Sequence, residues 1–150
     1  MSGPITSTAT AALAHAAEEA TRRGDRRVGT DHLLLGLLHD PAIASHLGTD
    51  VEKARDAAEH LDRVALAAIG LDVEMTPAPI PRRRAGSVSP TSGLRGVIAR
   101  AVGIAGAENV RKAEPRHLLA ALFECQHPDP AAELLDAINL GPEAQAHMPT

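Results

Sequence analysis

Apolar residues along this chain recur at helical spacing. Over residues 5–23 they fall three or four positions apart and so share one face of an α-helix (Ala9, Leu13, Ala16, Ala17 and Ala20). The five leucines between residues 33 and 38 point in nearly every direction around a second helix, so we expect it to be buried on most sides. Thr30 suits the N-cap of that helix, and Asp31 suits the positive end of its dipole.

The pattern predicts five further helices, separated by turn signals. A short helix over 42–47 stops at Gly48, and a long one begins at Thr49–Glu52, which have capping-box spacing, and ends at Gly70. The inner stripe of the long helix is predicted to be Val51, Ala54, Ala58, Leu61, Ala65 and Ala68. A linker rich in proline, arginine and serine covers 75–90. Helices follow over 91–107, 115–124 and 130–139, with Pro115 at a first helical position and a last turn at 142–148.

The two halves of the chain are related by an internal repeat. A shift of 85 residues aligns their first two helices without a gap, placing Thr6 on Thr91 and the His-Leu-Leu at His32 on that at His117. Each half has an apolar face that it cannot cover alone, and packing the halves about a pseudo-two-fold axis would bury both. We therefore predict an all-α fold of two four-helix repeats, 1–74 and 91–150, joined by the linker 75–90 into one compact domain.

Composition restricts the function classes. Hydrophobic residues make up 44% of the chain but aromatic residues only 1%, so the core must consist of aliphatic side chains and many alanines. The net charge of −4 provides no overall positive field for nucleic acid. A lone cysteine, Cys125, excludes an intrachain disulfide; it has no adjacent base and is expected to pack as a small apolar group. No apolar run approaches the length of a membrane span, so we expect a cytoplasmic protein with no membrane partner.

The first half carries residues that resemble a known family. They are Ile5-Thr6 with Ala9, Glu18-Glu19-Ala20, Val28-Gly29-Thr30-Asp31-His32 and Leu33-Leu34-Leu35-Gly36-Leu37. This pattern resembles the double Clp repeat, the N-terminal domain of Clp-family AAA+ unfoldases, and most closely that of the ClpC type, with Asp31 where the family has Glu. In the second half the corresponding segment, 113–122, has diverged. The resemblance covers nearly the whole chain and implies the same two-repeat helical fold.

The resemblance implies that the domain docks Clp adaptors and substrates. ClpC-type domains also bind phosphoarginine at two symmetry-related sites, each using the acid of the signature and a threonine near the start of the half. Carried over, the first site is Thr6 with Asp31, where the carboxylate pairs with the guanidinium while the hydroxyl and helix-start N–H groups take the phosphate. The second keeps Thr91 but has Arg116 in place of the acid, and Arg116 would repel a guanidinium. Complementing the helix dipole explains Asp31 equally well.

Cyclic peptide antibiotics are a further ligand class of actinobacterial ClpC domains. They bind near aromatic residues at the N terminus and at the end of the linker. The corresponding peptide groove here would be formed by Ile5, Val88 and Pro90, which include no aromatic side chain. These residues therefore do not support drug binding of that kind.

The motor of the Clp unfoldases has no counterpart in the sequence. No Gly-x-x-x-x-Gly-Lys-Ser/Thr phosphate-binding motif is present. We therefore expect a free-standing Clp N-domain that is not an enzyme and needs no cofactor. It would bind Clp unfoldase subunits, adaptors or substrate proteins and modulate ATP-dependent proteolysis as an adaptor or a decoy. The alternative is a nucleic-acid-binding regulator that uses Arg82–Arg84; its mark would be salt-dependent DNA binding that is lost when these charges are removed.

The histidines have a structural interpretation. His32 and His117 open equivalent helices and are expected to hydrogen-bond loop backbone there, rather than to bind a ligand. His32, His39 and His46 recur every seven residues, but Asp40-Pro41 breaks any helix between them, so we expect no shared metal site.

Overall fold

The structure has the predicted all-α fold, with two very short strands besides its helices. The computed structural model describes residues 3–70 and 88–138. These residues form α1 (Ser7–Arg22), β1 (Arg27–Val28), α2 (Thr30–Leu37), α3 (Pro41–Leu47), α4 (Val51–Ala68), β2 (Ser89–Pro90), α5 (Ser92–Ala107), α6 (Pro115–Phe123) and α7 (Pro130–Ala137). The first half contributes four helices and the described part of the second half three. The predicted turn at 142–148 lies outside the described residues. None of the described helices is both long and apolar enough to cross a membrane.

Equivalent helices of the two halves begin in the same way. Thr6 and Thr91 are the N-caps of α1 and α5, and each hydroxyl accepts a hydrogen bond of 3.1 Å from the backbone N–H three residues further on. Asp40 and Asp129 cap α3 and α7, and each is followed by a proline at the first helical position. The internal repeat is therefore visible in the cap chemistry as well as in the apolar pattern.

Two caps differ from the prediction. Gly29, not Thr30, is the N-cap of α2, because the buried Thr30 hydroxyl contacts the second half instead. Asp50, not Thr49, caps α4, and its carboxylate accepts a hydrogen bond of 2.8 Å from the Lys53 N–H. A charged acceptor makes a stronger hydrogen bond than a hydroxyl, which favours the aspartate.

The two halves are joined by two short parallel backbone pairings. Val28 of β1 pairs in parallel with Pro90 of β2, and Ile5 pairs in parallel with Ala113. In each pairing the N–H that follows Pro90 or Ile5 donates to the carbonyl of the partner residue at 2.9 Å. The same 85-residue shift relates the two pairings, so the halves are arranged about a pseudo-two-fold axis. Ser89–Pro90, at the end of the predicted linker, is a strand because it pairs with β1.

The core is formed mainly by the first two helices of each half, and α7 also contributes to it. The largest fully buried apolar side chains are Leu33, Leu34, Leu35, Leu37, Leu94, Leu118, Leu122 and Leu134. The five leucines of 33–38 are all buried, as their distribution around α2 predicts. Gly36 lets α2 approach α1 backbone to backbone, since a Cβ there would lie 2.4 Å from the Ala12 carbonyl oxygen and 2.7 Å from the Ala16 nitrogen.

Candidate functional site

Two buried histidines hold the starts of α2 and α6. The Nδ1 atoms of His32 and His117 each accept a hydrogen bond of 2.8 Å from the backbone N–H three residues earlier. The opposite ring nitrogens lie 2.7 Å from Asp25 and 2.9 Å from Glu108, respectively. The prediction that these histidines hydrogen-bond loop backbone is confirmed. In both side chains, each ring nitrogen has a partner within the fold.

The remaining histidines of the seven-residue series have other surroundings. His39 Nε2 lies 3.0 Å from Glu19, and His46 is exposed on α3. Within residues 3–70 and 88–138, no group of three or more His, Cys, Asp and Glu side chains is arranged to hold a metal ion.

Asp31 lies in the first turn of α2 beside a guanidinium of the chain itself. Arg23, which follows α1, donates from Nη1 to Asp31 Oδ2 at 3.2 Å and also contacts Asp62 on α4. Burial would lower the pKa of Arg23, but the charges of Asp62, Asp25 and Asp31 outweigh it and raise that pKa overall. Arg23 is therefore a permanent cation that joins α1, α2 and α4, and it occupies the carboxylate that the sequence assigned to a ligand.

The second half contains the same ion pair with its charges exchanged. By the 85-residue shift, Arg23 corresponds to Glu108 and Asp31 corresponds to Arg116. Arg116 Nη2 donates to Glu108 Oε1 at 2.9 Å. Hydrogen bonds from His117 and Arg116 lower the pKa of Glu108, which keeps it ionised. A guanidinium ligand would have to displace Arg23 in the first half and would meet another guanidinium in the second.

The two predicted threonines take part in different backbone pairings between the halves. The Thr6 N–H bonds to Ala113 of the second half, while the Thr91 N–H bonds to Val28, three residues before Asp31. Both hydroxyls act as helix caps. Of the two threonines, Thr91 is the one that a hydrogen bond joins to the segment carrying Asp31.

The predicted peptide-groove residues are distributed over both backbone pairings between the halves. Ile5, Val88 and Pro90 are all half-buried, and Ile5 and Val88 pack against the core. Ile5 and Pro90 take equivalent positions in the two separate backbone pairings. Arg82–Arg84, the residues of the nucleic-acid alternative, lie outside the described residues.

A groove of about 370 Å³ opens beside Asp31, between α4 and α7. Its charged lining residues are Arg23, Asp31 and Asp62, with Glu133 on the α7 side. The apolar lining consists of Ala58, Leu61, Val64, Ala65, Ala68, Pro128, Pro130 and Leu134. The groove therefore combines a mostly apolar lining with a few charged side chains, which is the usual character of a ligand site.

Four of the six residues of the α4 stripe that was predicted to face inward line this groove: Ala58, Leu61, Ala65 and Ala68. Ala54 and Ala58 are buried, but Ala65 and Ala68 are exposed. α4 has 18 residues and α7 has 8, so α4 is longer by about 15 Å at 1.5 Å per residue. Among the described residues, α7 is therefore too short to run along the whole apolar face of α4. Periodicity identifies such a face, but it says nothing about the length of the element that packs against it.

The comparison with known families decides what this domain is. The chain matches the family described as the Clp repeat (R) N-terminal domain over residues 4–138. This chain belongs to that family. The resemblance inferred from the first-half signature is confirmed, and Clp N-domains are protein-interaction modules of Clp chaperones.

Solved structures support the same fold for this Clp N-domain. The N-terminal domain of the caseinolytic protease associated chaperone ClpD from Arabidopsis thaliana matches with a TM-score of 0.73 at 22% identity, covering 97% of this chain and 92% of that one. A chain from structural investigations of a malarial protein secretion system matches with a TM-score of 0.68 at 17% identity, with 97% and 92% of the two chains covered. No curated protein matches the sequence. At these identities the likeness establishes the fold alone.

A buried carboxylate of the Clp N-domain was not identified from the sequence. Glu19 is 2% exposed and accepts hydrogen bonds from Arg55 Nε at 2.9 Å and Nη2 at 2.6 Å. The available signal was that Glu19 lies on the apolar face of α1, between Ala16 and Ala20. Its partner is 36 residues away, so no local spacing could reveal it.

Cys125 behaves as its sequence context predicts. Burial, together with the nearby Asp129 and Glu124 carboxylates, raises the pKa of the thiol to about 11. The thiol is therefore protonated at neutral pH and is a poor nucleophile. It packs against the core and lies 3.8 Å from the Ala121 carbonyl oxygen.

Proposed function

We propose that this Clp N-domain is a non-catalytic docking module of the cytoplasm that binds Clp unfoldase subunits, adaptors or substrate proteins. Through that binding it modulates ATP-dependent proteolysis, as an adaptor or as a decoy. The family match over residues 4–138 carries the proposal. The reciprocal backbone pairing supports it, because it ties both halves into one scaffold on which surface residues keep fixed positions.

A pull-down and a degradation assay test this function. The full chain is immobilised and exposed to a lysate that contains a ClpC-type unfoldase, its protease and its adaptors. The captured proteins are expected to include at least one of these Clp components or a Clp substrate. In a reconstituted degradation assay, an adaptor would raise the rate and a decoy would lower it. Recovery of no Clp component, adaptor or substrate would contradict the proposal.

Phosphoarginine recognition at Asp31 is the finer part of the proposal. The Asp31 carboxylate would pair with the guanidinium, and a threonine hydroxyl at a helix start, Thr6 or Thr91, would take the phosphate. Because Arg23 already donates to Asp31 at 3.2 Å, the ligand has to compete with this internal guanidinium. Binding by the native chain is therefore expected to be weak.

A calorimetric titration with phosphoarginine distinguishes these contributions. We expect Asp31→Ala to abolish binding and Arg23→Gln to strengthen it several-fold, roughly 1 kcal/mol, since the internal competitor is removed. Circular dichroism verifies that both variants remain folded. Equal binding by the native chain and Asp31→Ala would separate Asp31 from phosphoarginine recognition.

A further inference from the structure

We infer that two pairs of basic residues, Arg26-Arg27 in the first half and Arg111-Lys112 in the second, each bind an acidic segment of a protein partner. The inference rests on the proposed docking function and adds the chemistry of the partner to it. The surface concerned is the loop before α2 and its counterpart before α6.

The two basic pairs are the charges that both halves of the chain keep. Under the 85-residue shift, Arg26 corresponds to Arg111 and Arg27 corresponds to Lys112. At every other aligned position of residues 3–40 and 88–125, an Asp, Glu, Lys or Arg in one half is matched by a residue of different charge in the other, with histidine taken as neutral. The halves have therefore diverged in charge everywhere except at this pair.

The fold makes little use of these four charges. Arg26, Arg27 and Arg111 are exposed, and Lys112 is half-buried. Within residues 3–70 and 88–138, no ion pair joins any of them to a carboxylate, and their one side-chain hydrogen bond runs from Arg27 Nη2 to the Pro90 carbonyl oxygen at 3.1 Å. Stability of the domain does not explain why both halves keep the pair.

The acidic residues next to the basic pairs in the sequence contact other side chains. Asp25 lies 2.7 Å from His32 and 3.9 Å from Arg23. Glu114 lies 3.4 Å from Arg116. Because these carboxylates are engaged elsewhere, the charge of each basic pair is available to a partner.

Both pairs are attached to backbone that the other half holds in place. Arg27 lies opposite Ser89 in the pairing of β1 with β2, and Lys112 directly precedes Ala113, which pairs with Ile5. A fixed backbone reduces the entropy that is lost when a partner binds. The pseudo-two-fold axis relates the two pairings, so the domain presents the same cationic site twice. A partner with two acidic segments would gain affinity by binding both sites.

The amount of charge favours an acidic protein segment over nucleic acid. Two cations per site suit a short run of Asp or Glu, whereas DNA-binding proteins commonly contact about 6–10 phosphates. The net charge of −4 also opposes the approach of a polyanion as large as DNA. Opposite charges of this kind mainly determine which partner binds and how fast it associates.

Labelled peptides test the charge preference. Three ten-residue peptides, in which serine alternates with glutamate, glutamine or lysine, are mixed with the full chain at low salt, and fluorescence anisotropy measures binding. We expect the glutamate peptide to bind about fivefold more tightly than the glutamine peptide, with the difference shrinking as salt is added. The lysine peptide should bind no better than the glutamine peptide. Equal affinities for the glutamate and glutamine peptides would overturn the inference.

Nuclear magnetic resonance locates the binding. In the native chain, the glutamate peptide is expected to shift the backbone amide signals of residues 25–28 and 110–113. Replacing Arg26 and Arg27 by glutamine should remove the first group of shifts and keep the second, and replacing Arg111 and Lys112 by glutamine should do the reverse. Shifts confined to other parts of the chain would overturn the inference.

A matched variant controls for net charge. Lys53→Gln combined with Arg63→Gln also removes two positive charges, from exposed positions of α4. This variant is expected to keep both groups of shifts and to change the affinity for the glutamate peptide less than twofold. Circular dichroism verifies that all variants are folded. If the control loses as much affinity as a variant in which all four residues of the basic pairs are glutamine, the basic pairs are not the site.

Two further outcomes overturn the choice of site or partner. If replacing Arg82–Arg84 by serine abolishes binding of the glutamate peptide while the four-residue variant binds normally, the linker is the site. If a short DNA duplex binds more tightly than the glutamate peptide and the four-residue variant loses that binding, nucleic acid is the partner.

Capture of Clp components separates this inference from the proposed function. Capture by the native chain that the four-residue variant loses would support the inference. If the native chain captures Clp components but never binds the glutamate peptide, the inference fails and the docking function stands. If the native chain captures no Clp component, adaptor or substrate, the docking function itself fails, whatever the peptides show.

Discussion

A single buried carboxylate joins three parts of the first half. Glu19 on α1 accepts hydrogen bonds from Arg55 on α4 and contacts His39, which follows α2. Burial alone would raise the pKa of Glu19, but hydrogen bonds and charge from Arg55 and His39 lower it overall. Because the pKa is lower in the folded chain than in the unfolded one, ionised Glu19 stabilises the fold.

Glu19→Gln is expected to reduce the free energy of unfolding by about 2 kcal/mol at pH 7, because it leaves the Arg55 charge without its buried partner. The contribution of Glu19 is complete above its unfolded pKa and is lost as the pH falls through the lowered folded pKa. The difference between the native chain and the variant should therefore shrink below about pH 4. Urea unfolding monitored by circular dichroism from pH 7 to pH 3 measures it.

The neighbouring Glu18 provides the matched control for this measurement. It is exposed, so Glu18→Gln should leave the free energy of unfolding almost unchanged across the same pH range. If Glu19→Gln and Glu18→Gln have the same stability at pH 7, the buried network does not hold these helices together.

Helix α2 depends on its close contact with α1. Gly36 is the position at which the two backbones approach, and an added Cβ would meet backbone atoms of Ala12 and Ala16 that cannot rotate away. The corresponding residue of the second half is Ala121, a buried alanine, so the α1–α2 pair is the one that requires glycine.

Gly36→Ala is expected to destabilise the domain by about 3 kcal/mol, because α1 and α2 must separate to make room for the methyl group. Gly96→Ala on α5 is the matched change. Gly96 is exposed in a helix with nothing within 4 Å of the added Cβ, so the variant should be stabilised by about 0.5–1 kcal/mol. Urea midpoints of the two variants measure the contrast, and a stabilising Gly36→Ala would contradict the close approach.

At the scale of the whole molecule, side chains at equivalent positions of the two halves contact each other in both halves, but the residue types that make the contact differ. The Arg23–Asp31 pair of the first half is an exchanged Glu108–Arg116 pair in the second. The stacked rings of His15 and His39, with centroids 4.2 Å apart, are replaced by an ion pair of Arg100 with Glu124 at 2.7 Å. The repeat therefore preserves which positions touch, and each half presents a different surface chemistry.

The contacts between halves predict that the domain unfolds as one unit. Two backbone pairings join the halves. In addition, the Thr30 hydroxyl donates to Asp129 at 2.6 Å and accepts from the Ala131 N–H at 3.2 Å, which joins α2 to the start of α7. Hydrogen exchange followed by mass spectrometry should give opening free energies within about 1 kcal/mol of each other for α1–α2 and α5–α6. A half that opens independently, with an opening free energy several kcal/mol lower, would contradict this coupling.

Much of the fold was determined locally and could be predicted from the sequence. The apolar spacing, the threonine caps at Thr6 and Thr91 and the prolines that begin α6 and α7 act within a few residues. The 85-residue repeat predicted the pseudo-two-fold arrangement, because two related halves with complementary apolar faces have few other ways to cover them. The structural role of His32 and His117 also follows from their own helix starts.

The candidate site was decided by contacts distant in sequence. From the sequence, Asp31 has two possible roles, binding a ligand guanidinium or complementing the helix dipole. In the structure Arg23, which follows α1, pairs with Asp31 and also contacts Asp62, which only the packing of α4 brings there. Glu19 accepts a hydrogen bond from Arg55, 36 residues along the chain, and Thr30 donates to Asp129, 99 residues along it. Within residues 3–70 and 88–138, the groove lies between the long α4 and the shorter α7. Sequence periodicity specifies which face of a helix is apolar, whereas the partner, its length and the charges that it brings depend on the three-dimensional arrangement of the chain.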